Sequence, residues 1–454
     1  MEDLWAKFKS GSLGQAVLQG LSGVMAVKVA GAALGFGSHV VLARLLDANQ
    51  YGVYLYVWTW IVVLSQVTRM GFDNVLIRFV AEFNAQEKWS RLKGLLYQAR
   101  RNVVIVSVLF ALIGAGVILM MSDQLESTMR STFLVGFILL PVYALNFLNQ
   151  SVLRGLKRVT RANVPDLVIR HTAFVGSLAV LYLVIGQMTA PKAMALTLVV
   201  FGGVCATSGW WVYKFLPNRV TRGSRSDDER RWVRTALPYL LISGASLIES
   251  KTDLLTLGVF STSTQVGVYG AAVRISVMVS FGLSAVNMTL APFISELYST
   301  GRKKQLRSLI HWITAGVGIF TVIVGAIVAV YGKTILDLFG AEFAVGYTPL
   351  MILVAGKAVG ALTGPAGYGM MMTGHQGAAS RIEGITAVAN LAGNLALVPL
   401  YGALGAAVAT AATHSLRNVV FALTLYRRIG INATIFNGDL LRDVAGLVRR
   451  IRRV

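Results

Sequence analysis

An otherwise apolar segment of the chain carries three ionisable residues close together: Leu237-Pro-Tyr-Leu-Leu-Ile-Ser-Gly-Ala-Ser-Leu-Ile-Glu-Ser-Lys-Thr-Asp-Leu-Leu-Thr-Leu-Gly-Val-Phe260. The segment is long enough to cross a bilayer as one helix, which takes about 20 residues. Each ionisable group at membrane depth costs roughly 2.5–3.5 kcal/mol, so such groups normally face a helix bundle or an aqueous cavity. Glu249 and Asp253 share a face of the predicted helix, whereas Lys251 lies on another. We expect a polar functional site here, although an ion-pair network that only fixes helix packing would explain the same residues.

Composition places the whole chain in a membrane. Its 454 residues are 55% hydrophobic and 14% charged, with a mean hydropathy of +0.65, whereas soluble domains carry about 25% charged residues. A net charge of +22 would suggest nucleic acid in a soluble protein. Here the basic residues fall between apolar segments, so membrane topology explains them without a nucleic-acid partner. The single cysteine, Cys205, excludes an intramolecular disulfide and indicates no metal cluster.

Twelve apolar segments are long enough to span a bilayer, which predicts an all-α polytopic fold. A chain of this length has room for about a dozen such helices joined by short loops. The predicted spans are 18–43, 53–72, 102–121, 131–152, 167–187, 192–215, 236–260, 266–292, 308–331, 345–369, 380–400 and 403–426.

Basic residues alternate across the loops between these spans. The loops after the second, fourth, sixth and eighth spans carry twenty Lys and Arg residues, whereas the intervening loops carry four. Because Lys and Arg are retained on the cytoplasmic side, this asymmetry predicts that both termini are cytoplasmic. The basic tail, 431–454, has apolar residues spaced for an amphipathic helix on anionic lipid, although retention of topology explains its charge equally well.

The chain contains an internal repeat. Gln50-Tyr-Gly-Val-Tyr54 recurs as Gln265-Val-Gly-Val-Tyr269, and Phe79-Val-Ala-Glu82 matches Phe293-Ile-Ser-Glu296 one residue out of step. The offset is close to half the chain, and each copy holds six spans, so both copies insert in the same orientation as a parallel pseudo-repeat. We therefore divide the chain into a six-helix lobe, 1–217, a basic cytoplasmic linker, 218–234, a second six-helix lobe, 235–430, and the tail, 431–454.

Most of the charged groups at membrane depth are cationic. Lys28 shares a helix face with small residues that let a neighbouring helix approach, although it could also snorkel to the nearer membrane surface. Lys357 lies within a repeated small-residue spacing, Gly356, Gly360 and Gly364, which also predicts close helix contact. Because unpaired buried charge is costly, the cationic excess predicts an anionic guest such as a phosphate or diphosphate. The candidate cationic residues are Lys28, Arg69, Lys251, Arg274, Lys357 and Arg417.

The acidic pair, Glu249 and Asp253, predicts coupling to an ion. Like charges held close together bind a proton more tightly or attract a cation, so a proton or sodium gradient could drive transport. Lys251 or Lys357 could instead neutralise the pair permanently, which would make the group structural.

Motifs of the common enzyme classes are missing from the chain. It has no P-loop, no HExxH motif, no nucleophile elbow and no Cys/His cluster. The loops on the predicted outer side are also too short for a catalytic domain. We therefore expect a protein that is not an enzyme, with no catalytic residues, no cofactor and no metal site.

Short motifs in both lobes carry a family resemblance. In the first lobe they are Ala43-Arg-Leu-Leu-Asp47, Gly71-Phe-Asp-Asn-Val-Leu-Ile-Arg78 and Arg154-Gly-Leu-Lys157, and in the second Val266-Gly-Val-Tyr-Gly-Ala-Ala272. These segments resemble the bacterial polysaccharide transporters, the O-antigen (Wzx-type) flippases of the multidrug/oligosaccharidyl-lipid/polysaccharide (MOP) exporter superfamily. The likeness extends over nearly the whole chain.

The resemblance implies a MATE-like fold of two six-helix lobes that works by alternating access in the bacterial inner membrane. It implies a cation-rich central cavity, which Lys28, Lys251, Arg274 and Lys357 could furnish. The implied function is a flippase that moves a polyprenyl-diphosphate-linked oligosaccharide for cell-surface polysaccharide biosynthesis. Its partners would be the lipid-linked anionic glycan, membrane lipids and, as an open question, the polysaccharide synthesis machinery.

Two alternatives remain open at this stage. An ion-coupled drug or organic-cation antiporter of the same superfamily would need an acidic rather than a cationic cavity. A membrane glycosyltransferase or polymerase belongs to a different class, and the short outer loops and the duplication argue against it.

Overall fold

The computed structural model describes residues 12–217, 220 and 229–435, and this part of the chain is helical with no β-strand. A π-helical turn, Pro165–Ile169, and a 3-10 helix, Ala341–Gly346, interrupt the α-helices. The linker before residue 229 (apart from 220) and the tail after 435 lie outside the described residues, so the predictions for them stand as made. The α-helices are α1 (Ser12–Thr68), α2 (Phe72–Ala85), α3 (Trp89–Met120), α4 (Ser127–Gly155), α5 (Val159–Val164), α6 (Arg170–Ile185), α7 (Ala190–Phe215), α8 (Glu229–Phe260), α9 (Ser263–Ser299), α10 (Lys303–Asp337), α11 (Tyr347–Leu362), α12 (Ala366–Met372) and α13 (Gln376–Ile429).

Nine stretches of the described residues are long and apolar enough to cross a membrane. Two of them each contain two predicted spans, because α1 breaks at Asp47 (φ 65°) and α13 breaks at Gly402 (φ 56°, ψ −130°). The conformation at Gly402 is one that glycine adopts far more readily than other residues. The predicted span 236–260 is the second part of α8, which is less apolar because it carries the three ionisable residues of the opening segment. The prediction of an all-α polytopic membrane protein is confirmed.

The chain forms two compact units, Met1–Leu247 and Ile248–Val454. In the first unit α4 packs against α1, α2, α3 and α7. An apolar core gathers around α2, where Phe72, Val75 and Phe79 are almost fully buried together with Trp232 of α8. Each such side chain contributes roughly 1.5–3 kcal/mol on burial. The division between the units falls inside α8, beyond the predicted linker.

In the second unit α11 is the central helix. It packs against α9, α10 and α13, and α9 also packs along α10. A second apolar core includes Ile294, Leu306, Ile310, Met370 and Phe421. The second unit therefore contains α9, α11, α13 and the part of α8 from Ile248 onward, and these segments carry most of the predicted site residues.

The repeated motif makes the same contact in both units. The side-chain Oε1 of Gln50 accepts a hydrogen bond from the backbone N–H of Ala190 at 2.9 Å. In the second unit Oε1 of Gln265 accepts from the N–H of Ala403 at 3.1 Å. Each glutamine therefore satisfies a free N–H in the first turn of a helix, a group that has no partner within the helix itself. A matched sequence motif with a matched capping contact supports the duplication.

Candidate functional site

A cluster of charged side chains lies among four helices of the second unit. α8 contributes three members, α9 and α11 one each, and the two halves of α13 the remaining three. Ion pairs and close electrostatic interactions connect these side chains to one another. We call the following set the charged cluster: Glu249, Lys251, Asp253, Arg274, Lys357, Glu383, His414 and Arg417.

An ion pair joins α8 to α13 within the charged cluster. Nη1 of Arg417 donates to Oε1 of Glu249, and the two side chains are only 17% and 13% exposed. Oε2 of Glu383 lies 3.8 Å from the same nitrogen, and the Glu383 carboxyl contacts that of Glu249. Arg417 Nε is buried with no hydrogen-bond partner among the described residues. Two carboxyls thus share one guanidinium that retains an unused donor.

Asp253 is held separately from the Arg417 ion pair. Its Oδ2 accepts a hydrogen bond from the Tyr269 hydroxyl at 2.8 Å, and its Oδ1 accepts from the N–H of Leu254 at 2.8 Å. Asp253 is 5% exposed and Tyr269 is fully buried. Because buried carboxylates need such donors, Tyr269 fixes the Asp253 carboxyl on the α9 side of α8.

Three cations of the charged cluster have no direct carboxylate partner. Lys251 interacts electrostatically with Asp253 and also with the like charge of Arg274. Lys357 is repelled by Arg417 and attracted by Asp253 and Glu249. Within the described residues, no carboxylate oxygen lies within 4 Å of these three side chains. The charged cluster thus contains three cations that acidic side chains reach only at a distance, without a direct ion pair.

Small residues bring α11 and α13 into close contact beside Lys357. A Cβ atom at Gly356 would lie 2.7 Å from Cα of Ala411, and one at Gly360 would lie 2.7 Å from Cε1 of His414. A side chain at position 356 would push against the α13 backbone, and one at position 360 would displace the His414 imidazole. The close contact predicted from the small-residue spacing is therefore present, and it places Lys357 next to His414.

The predicted cations of the first unit lie in different surroundings. Arg69 donates to Asp73 at 2.7 Å and to Gln66, and its guanidinium stacks over Phe147 at 4.2 Å. Nε of Arg69 also donates to the backbone carbonyl of Ser65 at 3.1 Å. With 5% exposure and these four partners, Arg69 is held in a local network. Lys28 is half-buried on α1. The structure thus brings together six of the eight predicted site residues and places Lys28 and Arg69 in the other compact unit.

Two residues that were not predicted from the sequence lie in or beside the charged cluster, Glu383 within it and Tyr269 in contact with Asp253. Glu383 stands seven residues before Asn390 and so on the same helix face as that buried amide, a spacing that could have identified it. Tyr269 belongs to the repeated motif, but nothing in the sequence indicates that its hydroxyl reaches Asp253. No group of three His, Cys, Asp or Glu side chains suited to hold a metal ion occurs among the described residues.

Solved structures with a similar fold are transporters. An inward-facing multidrug resistance MATE family transporter of the MOP superfamily has a TM-score of 0.72 and 13% identity, and the match covers 88% of this chain and 94% of that one. The lipid II flippase MurJ, in an inward closed conformation, has a TM-score of 0.70 and 11% identity, with coverage of 88% and 87%. At these identities the likeness shows that the chains share a fold.

Sequence comparison identifies a relative and a family. The probable low-salt glycan biosynthesis flippase Agl15 of Haloferax volcanii is 23% identical over 395 residues, which cover 86% of this chain and 80% of the relative. The family described as "Polysaccharide biosynthesis protein" matches residues 17–298, more than half of the chain. This chain therefore belongs to the polysaccharide biosynthesis protein family.

Proposed function

We propose that this chain is a flippase that carries a polyprenyl-diphosphate-linked oligosaccharide across the membrane by alternating access. The observation that carries the proposal is the group of three cations, Lys251, Arg274 and Lys357, without a direct carboxylate partner in the charged cluster. A diphosphate offers several anionic oxygens, which lysine binds as a point charge and arginine through paired N–H groups.

The acidic residues near the cations suit a transporter, which must release its substrate, rather than a site that binds it irreversibly. In a low-dielectric site each cation attracts a diphosphate more strongly than it would in water. Transport needs binding that is also reversible. Asp253 and Glu249 interact with Lys357, so they compete with the substrate for this cation and favour release.

The relatives support a lipid-linked glycan as the substrate class. Agl15 is described as a probable glycan biosynthesis flippase and MurJ as a lipid II flippase. By analogy, this chain acts as a transporter and not as an enzyme. Its proposed location is the bacterial inner membrane with both termini in the cytoplasm, in keeping with the basic loops.

A drug or organic-cation antiporter is the alternative that the MATE-like fold raises. Such a protein needs carboxylates available to a cationic substrate. In the charged cluster Asp253 is engaged by Tyr269, and Glu249 is engaged by Arg417. The free charge is positive, so the geometry favours an anionic substrate.

The proposal is tested by neutralising two of the three cations together. In cells whose surface glycan depends on this protein, Lys251→Gln combined with Lys357→Gln should lower glycan export at least about tenfold, since each lost charge contact weakens binding by roughly that factor or more. Export is measured as surface glycan and as lipid-linked glycan accumulating on the inner leaflet. Lys357→Glu should reduce export further because it repels the diphosphate.

The matched control is Lys304→Gln, which neutralises an exposed lysine at the start of α10 and should leave export unchanged. Membrane-protein abundance must be equal in all variants. Normal export by the double variant would contradict the flippase proposal. Loss of organic-cation efflux with normal glycan export would favour the antiporter instead.

A further inference from the structure

The second unit contains an open groove, and none of its lining residues belongs to the charged cluster. It has a volume of about 260 Å³ and lies between the starts of α9 and α11 and the break in α13 at Gly402. These segments follow the seventh, ninth and eleventh predicted spans, so the groove lies on the predicted outer side of the membrane. Its volume is below the roughly 300–1,000 Å³ of sites for drug-sized ligands, so it suits one small chemical group.

The lining of the groove is neutral. Two threonines, one glutamine and one tyrosine provide its polar groups, and the other lining residues are small or aliphatic, with no charged residue among those that the structure describes. An anion would find no cation to compensate it here, and an organic cation would find no carboxylate. The groove therefore favours an uncharged ligand that has both hydroxyl groups and apolar surface.

Gln265 presents a fixed hydrogen-bond donor at the groove. Its Oε1 accepts from the backbone N–H of Ala403 at 3.1 Å, and a side chain at Gly402 would collide with this amide. The Gln265 side chain is thus held against the break in α13. Its Nε2 has two N–H donors and no partner within the described part of the chain.

Three hydroxyls at the groove are also available. Those of Thr264, Thr348 and Tyr401 make no hydrogen bond to another described residue. Thr264 and Thr348 are each the second residue of their helix, so the carbonyl four residues earlier, which a helical threonine usually bonds, lies outside the helix. Because a hydroxyl both donates and accepts, these groups match the hydroxyls of a sugar.

Tyr401 adds an exposed aromatic face. The residue is 62% exposed, and its neighbours in the groove, Val345 and Leu404, are 75% and 42% exposed. A tyrosine ring has a flat apolar body with a negative π face and a polar tip. A sugar ring has slightly positive C–H groups on its faces and hydroxyls around its edge, so the two surfaces are complementary.

The groove lies outward of the charged cluster along α9. Gln265 precedes Tyr269 by four residues and Arg274 by nine, which is about 6 Å and 14 Å along the helix axis. Val268 lines the groove, and the next residue, Tyr269, holds Asp253. In a lipid-linked oligosaccharide the sugars follow directly on the diphosphate. The groove and the charged cluster are therefore arranged in the order in which such a substrate presents its sugar and its diphosphate.

We propose that this groove binds one neutral sugar unit of the transported glycan on the outer side of the membrane. Tyr401 stacks against the sugar ring, while Thr264, Thr348 and Nε2 of Gln265 bond its hydroxyls. This inference rests on the proposed function for its substrate, but it concerns the glycan and not the diphosphate. Binding the sugar here favours the stage of transport at which the glycan has reached the outer side.

Saturation-transfer NMR on the full chain in neutral detergent tests the proposal. The probe is the oligosaccharide released by mild acid from the cell's lipid-linked glycan, which carries no diphosphate. It should bind the wild-type chain, and Tyr401→Ala should weaken binding about tenfold or more, because the ring supplies both apolar contact and a π face. Tyr401→Phe keeps the ring and should retain most of the binding, whereas Thr348→Val should weaken it roughly two- to tenfold by removing one hydroxyl.

Two controls separate the groove from the charged cluster and from general effects on the protein. Tyr331→Ala removes a tyrosine that is 57% exposed near the end of α10 and does not line the groove, and it should bind the probe normally. Lys251→Gln with Lys357→Gln should also bind it normally, because the probe lacks the diphosphate. Export of the glycan by Tyr401→Ala should fall at equal membrane-protein abundance.

The outcomes distinguish this inference from the flippase proposal. Normal export by the double lysine variant contradicts the flippase proposal, whereas a probe that binds Tyr401→Ala as tightly as the wild type, or binds neither, overturns the sugar site alone. Equal loss of affinity in Tyr331→Ala and Tyr401→Ala would also overturn it. So would displacement of the probe by phosphatidylglycerol, which would make the groove a lipid site, or normal export by Tyr401→Ala.

Discussion

At the scale of single residues, Arg417 holds the charged cluster together. It pairs with Glu249 and lies near Glu383 on the other half of the same helix. Removing one member of a nearly buried ion pair leaves an uncompensated charge, whereas removing both members does not. The pair is therefore open to a test that separates structural from transport roles.

We expect Arg417→Gln to destabilise the protein by about 3 kcal/mol, because Glu249 and Glu383 then face each other without their cation. The double variant, Glu249→Gln with Arg417→Gln, should lose clearly less stability than Arg417→Gln alone. Thermal unfolding of the purified protein in detergent measures both. If the stability lost by the double variant equalled the sum of the losses in Glu249→Gln and Arg417→Gln, the ion pair would contribute nothing to stability.

Ion coupling is a second prediction at this scale. Glu249 contacts Glu383, while Asp253 is bound by Tyr269, and carboxyls in such surroundings are the proposed carriers of a proton or sodium ion. Glu249→Gln and Asp253→Asn should each abolish the dependence of transport on the proton or sodium gradient, with the folded protein retained. Reconstituted vesicles with imposed gradients provide the measurement.

The control for the coupling prediction is Glu296→Gln, an exposed carboxylate near the end of α9, which should transport normally. If Glu249→Gln and Asp253→Asn also behaved normally at every pH and sodium concentration, the coupling role would be excluded. Both carboxylates would then be structural.

At the scale of the helices, the close contact of α11 with α13 positions the charged cluster. A Cβ atom at Gly356 would overlap the α13 backbone at Ala411, and one at Gly360 would meet the His414 imidazole. As a result Lys357, between them in sequence, lies within electrostatic reach of His414 and Arg417. Separating α11 from α13 by the width of one methyl group would move Lys357 away from Asp253 and Glu249.

Gly356→Ala should therefore lower stability by about 1–3 kcal/mol, the usual range for overpacking a tight contact. Gly316→Ala is the matched control, because a Cβ at that position of α10 meets no atom within 4 Å. Alanine in a helix interior is otherwise preferred over glycine, so the control should be neutral or slightly stabilising. A drop in melting temperature shared equally by both variants would contradict the close-contact explanation.

At the scale of the whole molecule, the duplication appears in both sequence and contacts. Gln50 and Gln265 cap equivalent helix starts in the two units. The surrounding sequences have nevertheless diverged. In the first unit the hydroxyl of Tyr54 bonds to Thr197 at 3.1 Å. Its counterpart, Tyr269, lies near Thr410, the position equivalent to Thr197, and also donates to Asp253. The two units thus share the cap and the tyrosine–threonine contact, and the second unit adds a charged group.

Because the two caps are equivalent, Gln50→Ala and Gln265→Ala should have similar effects. Loss of a side-chain cap costs typically about 1 kcal/mol, which thermal unfolding can detect. Gln124→Ala, at an exposed turn, should have no effect. A large loss in one variant with none in the other would show that the two contacts are not equivalent.

The sequence alone determined the fold class, because apolar segments of spanning length and a cationic loop asymmetry follow directly from composition along the chain. It also identified Lys251, Asp253, Arg274, Lys357 and Arg417 as candidates, since ionisable residues inside apolar spans are conspicuous one by one. What it could not determine is which of these side chains meet. Arg417 engages Glu249 because of how α8 and α13 pack, and Tyr269 reaches Asp253 because α9 lies beside α8. The Arg69–Asp73 pair, by contrast, joins residues only four apart in sequence. Helix packing is set by the complementary surfaces of residues distant in sequence, so only the tertiary structure decides which charges are paired and which have no direct carboxylate partner.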